Sequence, residues 1–243
     1  MINRPARSIC ATIDQGGIDL WRFDLDHQNT PAWPGVVTQA EFDRGLRLAR
    51  PRDRARFLQA RYCVRTLLGG YVDQAPGALC FAFNAYGKPS LVTADQLGFN
   101  LSHSGNLAVL AVGRQRAIGV DLERISYHRD VAALAQQVCS PIELASLTRL
   151  PEYARSASFL ICWTRKESFL KALGVGLSLD PRHITVGLEP VARHIDDPVD
   201  AGCVALRTIE VSDTAVLSLA VRTDFRREHA AICVRQFDQP WDV

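Results

Sequence analysis

Ile118-Gly119-Val120-Asp121-Leu122-Glu123 alternates apolar and acidic side chains at the two-residue period of a β-strand. On such a strand Asp121 and Glu123 leave one face about 7 Å apart, while Val120 and Leu122 point back into the protein. Two carboxylates at that spacing can bracket a hard, oxygen-seeking cation. They also suit an ordinary edge strand with a polar outer face, so the chemistry of the stretch has to be decided by its neighbours.

Just upstream, Leu107 to Val112 reads as a strand after the Gly105-Asn106 turn, and Gly113 to Arg116 is a short polar turn into the opening stretch. Further back, Leu79 to Asn84 and Phe99 to Ser102 are strand-like, separated by a loop with Tyr86-Gly87-Lys88-Pro89. Ser102-His103-Ser104 therefore falls at a strand end, where hydroxyls, an imidazole and free backbone N–H groups suit a phosphate, or a plain turn. Downstream the chain turns helical, with a helix start at Ser140-Pro141-x-Glu143. A stronger helix runs from Ser156 to Leu173 on Phe159, Leu160, Trp163, Phe169, Leu170 and Leu173, closing on Gly174-Val175-Gly176. Glu167 and Lys171, four apart, share one of its faces. Strands are expected at His183 to Leu188, Ala205 to Val211 and Val216 to Arg222; from Arg226 on no clear pattern emerges.

The first part begins with a half-buried strand, Ile18 to Leu25, then a loop from Asn29 to Gly35. Pro51 opens a helix on Phe57, Leu58, Tyr62, Val64, Leu67 and Leu68 that Gly69-Gly70 is expected to stop. Between Arg44 and Arg65 stand eight arginines and one acid, Asp53, for a local charge of +7. Arg54, Arg61 and Arg65 form a stripe on that helix, and the concentration points to an anionic partner.

Gly17 to Phe23 parallels Gly119 to Ile125, each half then offers a long helix closing on glycine, and Leu107 to Val112 echoes Val216 to Val221. The repeat implies an α+β fold of two similar lobes, residues 1–115 and 116–243, each a small sheet packed on a long helix. A pseudo-twofold axis would relate them, with the active site at their interface.

The 243 residues, 47% hydrophobic, suffice for one globular unit or two lobes sharing a core. No run of about 18 apolar residues suggests a membrane span. The first five residues lack a leader's apolar stretch. Seven cysteines from Cys10 to Cys233, with no Cys-x-x-Cys pair, fit buried thiols in a reducing compartment, so a cytoplasmic protein is expected.

Three blocks together resemble the 4′-phosphopantetheinyl transferases of the two-lobed class that activates peptide and polyketide synthases. They are Gly87-Lys88-Pro89 with Phe99-Asn-Leu-Ser-His-Ser104, then Ile118 to Glu123, then Trp163-Thr-Arg-Lys-Glu-Ser-Phe-Leu-Lys-Ala-Leu-Gly174. The resemblance covers roughly residues 15 to 222; residues 126–150, where the family is thought to meet its protein substrate, match no motif. It implies transfer of the phosphopantetheine arm of coenzyme A to a serine of an apo acyl, peptidyl or aryl carrier protein, releasing adenosine 3′,5′-bisphosphate. By resemblance Asp121, Glu123 and Glu167 would hold Mg²⁺, or Mn²⁺. Lys171 would contact the pyrophosphate, and Glu167 or a metal-bound water would take the serine proton. Ser102 and His103 match positions that hold coenzyme A phosphates, and Lys88 and Arg44 positions near its adenosine end. Lys166 and Trp163 would support the site. Because both lobes lie in one chain, a monomer is expected.

Carboxylates beside basic residues also serve other phosphate chemistry, so a metal-dependent nucleotide phosphohydrolase is an alternative. A non-enzymatic module binding coenzyme A or a carrier is another, opposed by the presence of Asp121, Glu123, Glu167 and Lys171 together. Nucleic-acid binding is not expected, because the arginine stretch lacks the interleaved aromatics of a base-stacking surface.

Overall fold

The computed structural model describes residues 13–26, 33–94, 96–114, 117–125, 130–212, 214–223 and 231–237. The chain start with Cys10, the early part of the 29–35 loop, residues 115–116 at the expected lobe boundary, 126–129 and 226–230 lie outside them. In chain order the elements are β1 (Ile18–Asp24), α1 (Gln39–Leu46), α2 (Pro51–Val72), β2 (Phe81–Phe83), β3 (Pro89–Leu91), β4 (Leu97–Ser104) and β5 (Leu107–Arg114). There follow β6 (Ile118–Arg124), α3 (Val131–Val138), α4 (Pro141–Arg149), α5 (Glu152–Leu173), β7 (Arg193–Asp196), β8 (Cys203–Ser212), β9 (Ala215–Thr223) and β10 (Ile232–Gln236). The fold is α+β, as the sequence implies.

The strands form two four-stranded sheets, in orders β10-β1-β5-β4 and β6-β9-β8-β7, plus the β2–β3 hairpin. β1 and β4 run antiparallel to β5, β9 runs antiparallel to β6 and β8, and β10 joins β1 in parallel. Alternation along the strands sorts the buried side chains into three cores. Trp21, Phe23, Phe99 and Leu110 pack against α2 residues Val64, Leu67 and Leu68. Ile18, Leu20, Val109 and Ala111 meet Ile118, Val120, Leu122, Leu217 and Leu219 between the two sheets. Phe159, Cys162, Phe169 and Leu170 of α5 pack on Val204, Leu206 and Ala220. The layers are therefore helix, sheet, sheet, helix, and the face of β6 opposite the middle core is left to α5.

Two expectations are corrected. α2 runs through Gly69-Gly70 and ends at Val72, where Asp73 adopts the left-handed conformation (φ 52) and its N–H returns to Gly69 O. Glycine costs a helix about 1 kcal/mol each, but here the chain folds back so closely that a Cβ on Gly69 would sit 2.7 Å from Gln74 O. The second correction concerns residues 183–188. The alternation is real, since Ile184 and Val186 are buried. Yet the N–H groups of Val186 and Gly187 donate to Glu143 Oε1 (2.6 and 2.9 Å), and the Pro181 and Ile184 carbonyls accept from Lys166 Nζ. With its polar groups claimed by a buried ion pair, that segment joins no sheet.

The arginine stretch is also less free than its local charge suggests. Arg52 and Arg56 pair with Asp26 (2.6 and 2.7 Å), Arg65 with Glu41 (2.7 Å), and Arg54 caps the Leu48 carbonyl at 2.5 Å. Both acids stand outside residues 44–65, so counting within that window misses them. Arg65 is buried at 4% exposure, and it fastens α1 to α2 instead of joining an open stripe.

Candidate active site

β6 is an edge strand of its own sheet, and an edge leaves alternate N–H groups without ladder partners. Here β4, at the edge of the other sheet, supplies them with side chains. Val120 N donates to Asn100 Oδ1 (2.8 Å), Leu122 N to Ser102 Oγ (3.2 Å) and Arg124 N to Ser104 Oγ (3.1 Å). Three alternate residues of one strand thus close the edge of another, and the seam between the sheets becomes a polar ladder.

The other face of β6 presents residues 119, 121 and 123 to α5. Gly119 permits the contact: a Cβ there would lie 1.9 Å from Ser168 O and 2.4 Å from Ala172 N. Backbone meets backbone, which brings Lys171, one turn before the Gly174 cap (φ 69), over Asp121. Lys171 Nζ donates to Asp121 Oδ1 at 2.5 Å and to Val120 O at 3.3 Å, and it lies 3.4 Å from Ser102 Oγ. Ser102 Oγ in turn donates to Asp121 Oδ1 (3.0 Å), and Ser104 Oγ donates to Glu123 Oε2 (3.0 Å).

Asp121 is 5% exposed. Its second oxygen, Oδ2, is buried without a hydrogen-bond partner. Burial pushes its carboxyl above the ordinary range, against the pull of Lys171. Glu167, one turn before Lys171, is likewise raised by burial, with Asp121 and Glu123 adding to the rise and Lys171 opposing it. Asp121, Glu123 and Glu167 lie near enough to feel one another's charge, and carboxylates, one of them here with an orphaned buried oxygen, are the groups a small divalent cation takes as ligands. His103 is on the exposed side of β4. Desolvation of its ring, reinforced by Lys171 and Arg56, holds the imidazole below its usual value.

Asp121, Glu123, Glu167, Lys171, Ser102 and His103 thus come together. Lys88 and Arg44 stand apart. The Lys88 ammonium donates to Lys171 O (2.6 Å), Ala172 O (3.0 Å) and Ile118 O (3.0 Å), so its three protons are spent on the end of α5 and the start of β6. Burial brings it down to about 8. Asn84, from the same hairpin, donates to Gly174 O (2.8 Å) and completes the helix cap. Arg44 is exposed on α1, its guanidinium 5.7 Å from the Phe57 ring that Arg61 also faces.

Lys166 supports α5 from behind. Its ammonium, 1% exposed, pairs with Glu143 at 2.7 Å. Glu143 also closes the α4 capping box through Ser140 N (2.8 Å). Cys139 and Cys162 lie beside this pair, 3.9 Å apart. Although these three side chains are close enough to surround an ion, both Glu143 oxygens already accept two bonds each and Lys166 brings a positive charge. The protein itself satisfies that cluster.

Ser104 and the N–H groups of β6 are functional groups that spacing alone does not reveal. Their signal in the sequence is a polar residue at each of positions 100, 102 and 104 on a strand whose other face carries Leu97, Phe99 and Leu101 before His103. Among the described residues no helix is long and apolar enough to cross a membrane.

Comparison with known proteins bears on the same region. The family model described as the 4′-phosphopantetheinyl transferase superfamily matches residues 117–236. The 4′-phosphopantetheinyl transferase HetI of Nostoc sp. (strain PCC 7120) is 37% identical over 66% of this chain and 70% of its own length. The putative 4′-phosphopantetheinyl transferase slr0495 of Synechocystis sp. (strain PCC 6803) is 35% identical over 65% of each. The 4′-phosphopantetheinyl transferase Sfp of Bacillus subtilis (strain 168) is 30% identical over 64% of this chain and 68% of its own. The matches thus span about two thirds of these relatives.

Proposed function

The chain belongs to the 4′-phosphopantetheinyl transferase superfamily, a family of enzymes, and from that premise we propose that its β6–α5 site moves the phosphopantetheine arm of coenzyme A to a serine hydroxyl of an apo carrier protein. The serine oxygen bonds to the phosphorus that bears the pantetheine, the bond from that phosphorus to the adenosine 3′,5′-bisphosphate oxygen breaks, and the serine proton leaves. The observation that carries this reading is Asp121 Oδ2, buried without a partner, in a carboxylate cluster that also includes Glu123 and Glu167.

Asp121, Glu123 and Glu167 would hold Mg²⁺, or Mn²⁺. When bound, the cation supplies charge neutralisation at the pyrophosphate. Lys171, held over Asp121, is in reach of a phosphate oxygen at the same face and offsets charge on the leaving group. Glu167, one turn from Lys171 on the same face of α5, is the carboxylate that would remove the serine proton. His103, on the exposed side, and the exposed arginines Arg44, Arg47 and Arg50 suit the outer phosphates of coenzyme A. Lys88 contributes through position, since its protons already bind carbonyls. Ser102 likewise contributes through its bond to Asp121.

In this reading the molecule is a cytoplasmic monomer of two halves that divide near residue 115 and are related by a pseudo-twofold axis, with β10 crossing back to pair with β1 of the first half. The equivalent pairings β1 with β5 and β6 with β9, and two helices of 22 residues, support that relation. Mass spectrometry tests the reaction. With coenzyme A and Mg²⁺, one phosphopantetheine should be added to an apo carrier from a peptide, polyketide or fatty-acid synthase. Asp121→Ala should lower turnover by at least ~100-fold while coenzyme A still binds. No gain on any carrier type would sink the proposal, and bisphosphate released without a carrier would favour a phosphohydrolase.

A further inference from the structure

The ladder across the seam repeats with a fixed offset. Asn100, Ser102 and Ser104 of β4 each accept the N–H of residue i+20 on β6, and the two serines also donate to the side chain of residue i+19. Ser102 accepts Leu122 N and donates to Asp121 Oδ1; Ser104 accepts Arg124 N and donates to Glu123 Oε2. Asn100 accepts Val120 N, but its i+19 partner is Gly119, which has no side chain.

A serine hydroxyl has one proton. In Ser104 the backbone N–H of Arg124 approaches the oxygen as a donor, so the Ser104 proton must point elsewhere, and the acceptor in reach is Glu123 Oε2 at 3.0 Å. Glu123 is longer than Asp121 and only half-buried, so its carboxylate has more rotamers open to it, and the Ser104 bond favours one of them. We propose that Ser104 is a positioning residue for the metal site, fixing from β4 the rotamer of the carboxylate that β6 supplies. The inference rests on the metal-holding reading given above. Bonds of this kind to a metal's ligands typically change its affinity by about 10–100-fold.

Mn²⁺ titration of the full chain, followed by electron paramagnetic resonance and calorimetry, tests it. Ser104→Ala should weaken the Mn²⁺ Kd by roughly 10–100-fold. Ser104→Thr, which keeps the hydroxyl and suits a strand, should stay within about 3-fold of wild type. Asn100→Ala removes a ladder bond that reaches no carboxylate. It should lower Tm yet leave the Mn²⁺ Kd within about 3-fold. Unchanged affinity in Ser104→Ala, or an equal loss in Asn100→Ala, would overturn the positioning role while leaving the metal reading standing. Failure of the wild-type chain to bind Mn²⁺ would overturn both.

Discussion

Gly119→Ala puts the relation between β6 and α5 to a direct test. The added methyl carbon would stand 1.9 Å from Ser168 O, 2.4 Å from Ala172 N and 2.9 Å from Lys171 C. All three are backbone atoms of one helix, so no side-chain rotation relieves the overlap. A carbon–oxygen contact settles near 3.3 Å, so α5 must retreat by about 1.4 Å or β6 must bend by as much. The first consequence is energetic. Overpacking a tight core costs about 1–3 kcal/mol, and a chain of this size loses roughly 2–4 °C in Tm per kcal/mol, so a fall on the order of 5 °C is expected. The second is chemical. Lys171 Nζ, now 2.5 Å from Asp121 Oδ1, can partly re-extend. Glu167, with its shorter side chain on the same helix, cannot follow as far. A misplacement of about 1 Å in such a site is worth ~100-fold in rate. Thermal unfolding monitored by circular dichroism, with phosphopantetheine transfer to an apo carrier followed by mass, reads both consequences. A variant with wild-type Tm and wild-type turnover would refute the close approach of β6 to α5 as the device that assembles the site.

Two further outcomes follow from buried charge. Glu143→Gln leaves the Lys166 ammonium facing an amide in a site that excludes water, and breaking such a pair costs about 3–5 kcal/mol. A Tm loss on the order of 10 °C is expected in thermal unfolding, and a loss under about 2 °C would show that the pair does not clamp residues 181–187 to α4 and α5. The second outcome is a pH dependence. Burial raises Asp121 and Glu167 above their ordinary values, so the folded state holds those protons more tightly than the unfolded one. Their contribution is therefore fully present below the unfolded carboxylate range, near pH 4, and is lost as pH rises through the folded values. A cation competes with the same protons, so the Tm gain from Mg²⁺ should be larger at about pH 7 than at about pH 5. Differential scanning calorimetry on wild type and Asp121→Asn measures it, and a gain equal at both pH values would refute the account.

Much of the fold is legible in the sequence because its strands alternate cleanly. β1, β5, β6 and β9 fall within two residues of their expected limits, and the two long helices are found where apolar periodicity places them. The misses share a physical cause. Residues 183–188 carry a strand's pattern, but its hydrogen bonds go to Glu143 and Lys166, which stand 43 and 18 residues away in the chain from Val186 and Ile184. α1 carries a capping box of Thr38 and Glu41, but its eight residues offer too short a period to stand out in the sequence. β10 is held by β1, far from it in sequence, and by Arg235, which pairs with the buried Asp19 at 3.2 Å. At the site, Asp121, Glu167 and Lys171 are legible by spacing and resemblance. The use of Lys88 is not, since a lysine in a loop gives no sign that its ammonium ends on three main-chain carbonyls.

The division of labour across the seam also bears on why the family model begins at residue 117. The four groups to which direct chemistry is proposed, Asp121, Glu123, Glu167 and Lys171, all belong to β6 and α5, inside the matched region. The first half supplies restraint. Ser102 and Ser104 reach the carboxylates from β4, and Lys88 and Asn84 tie the end of α5 through the β2–β3 hairpin. Restraint of this kind needs a hydroxyl or an ammonium at the right point, and many local sequences can deliver one. Metal ligation and pyrophosphate contact need particular carboxylates and a particular lysine at fixed offsets on two packed elements. A sequence pattern is therefore sharpest where chemistry fixes both residue type and spacing, and it blurs where only a contact must be kept. By this argument the carboxylates without their β4 ladder would retain the residues of the proposed metal site but not its geometry, and the proposed activity should require the first half as well as the half that carries the recognisable motif.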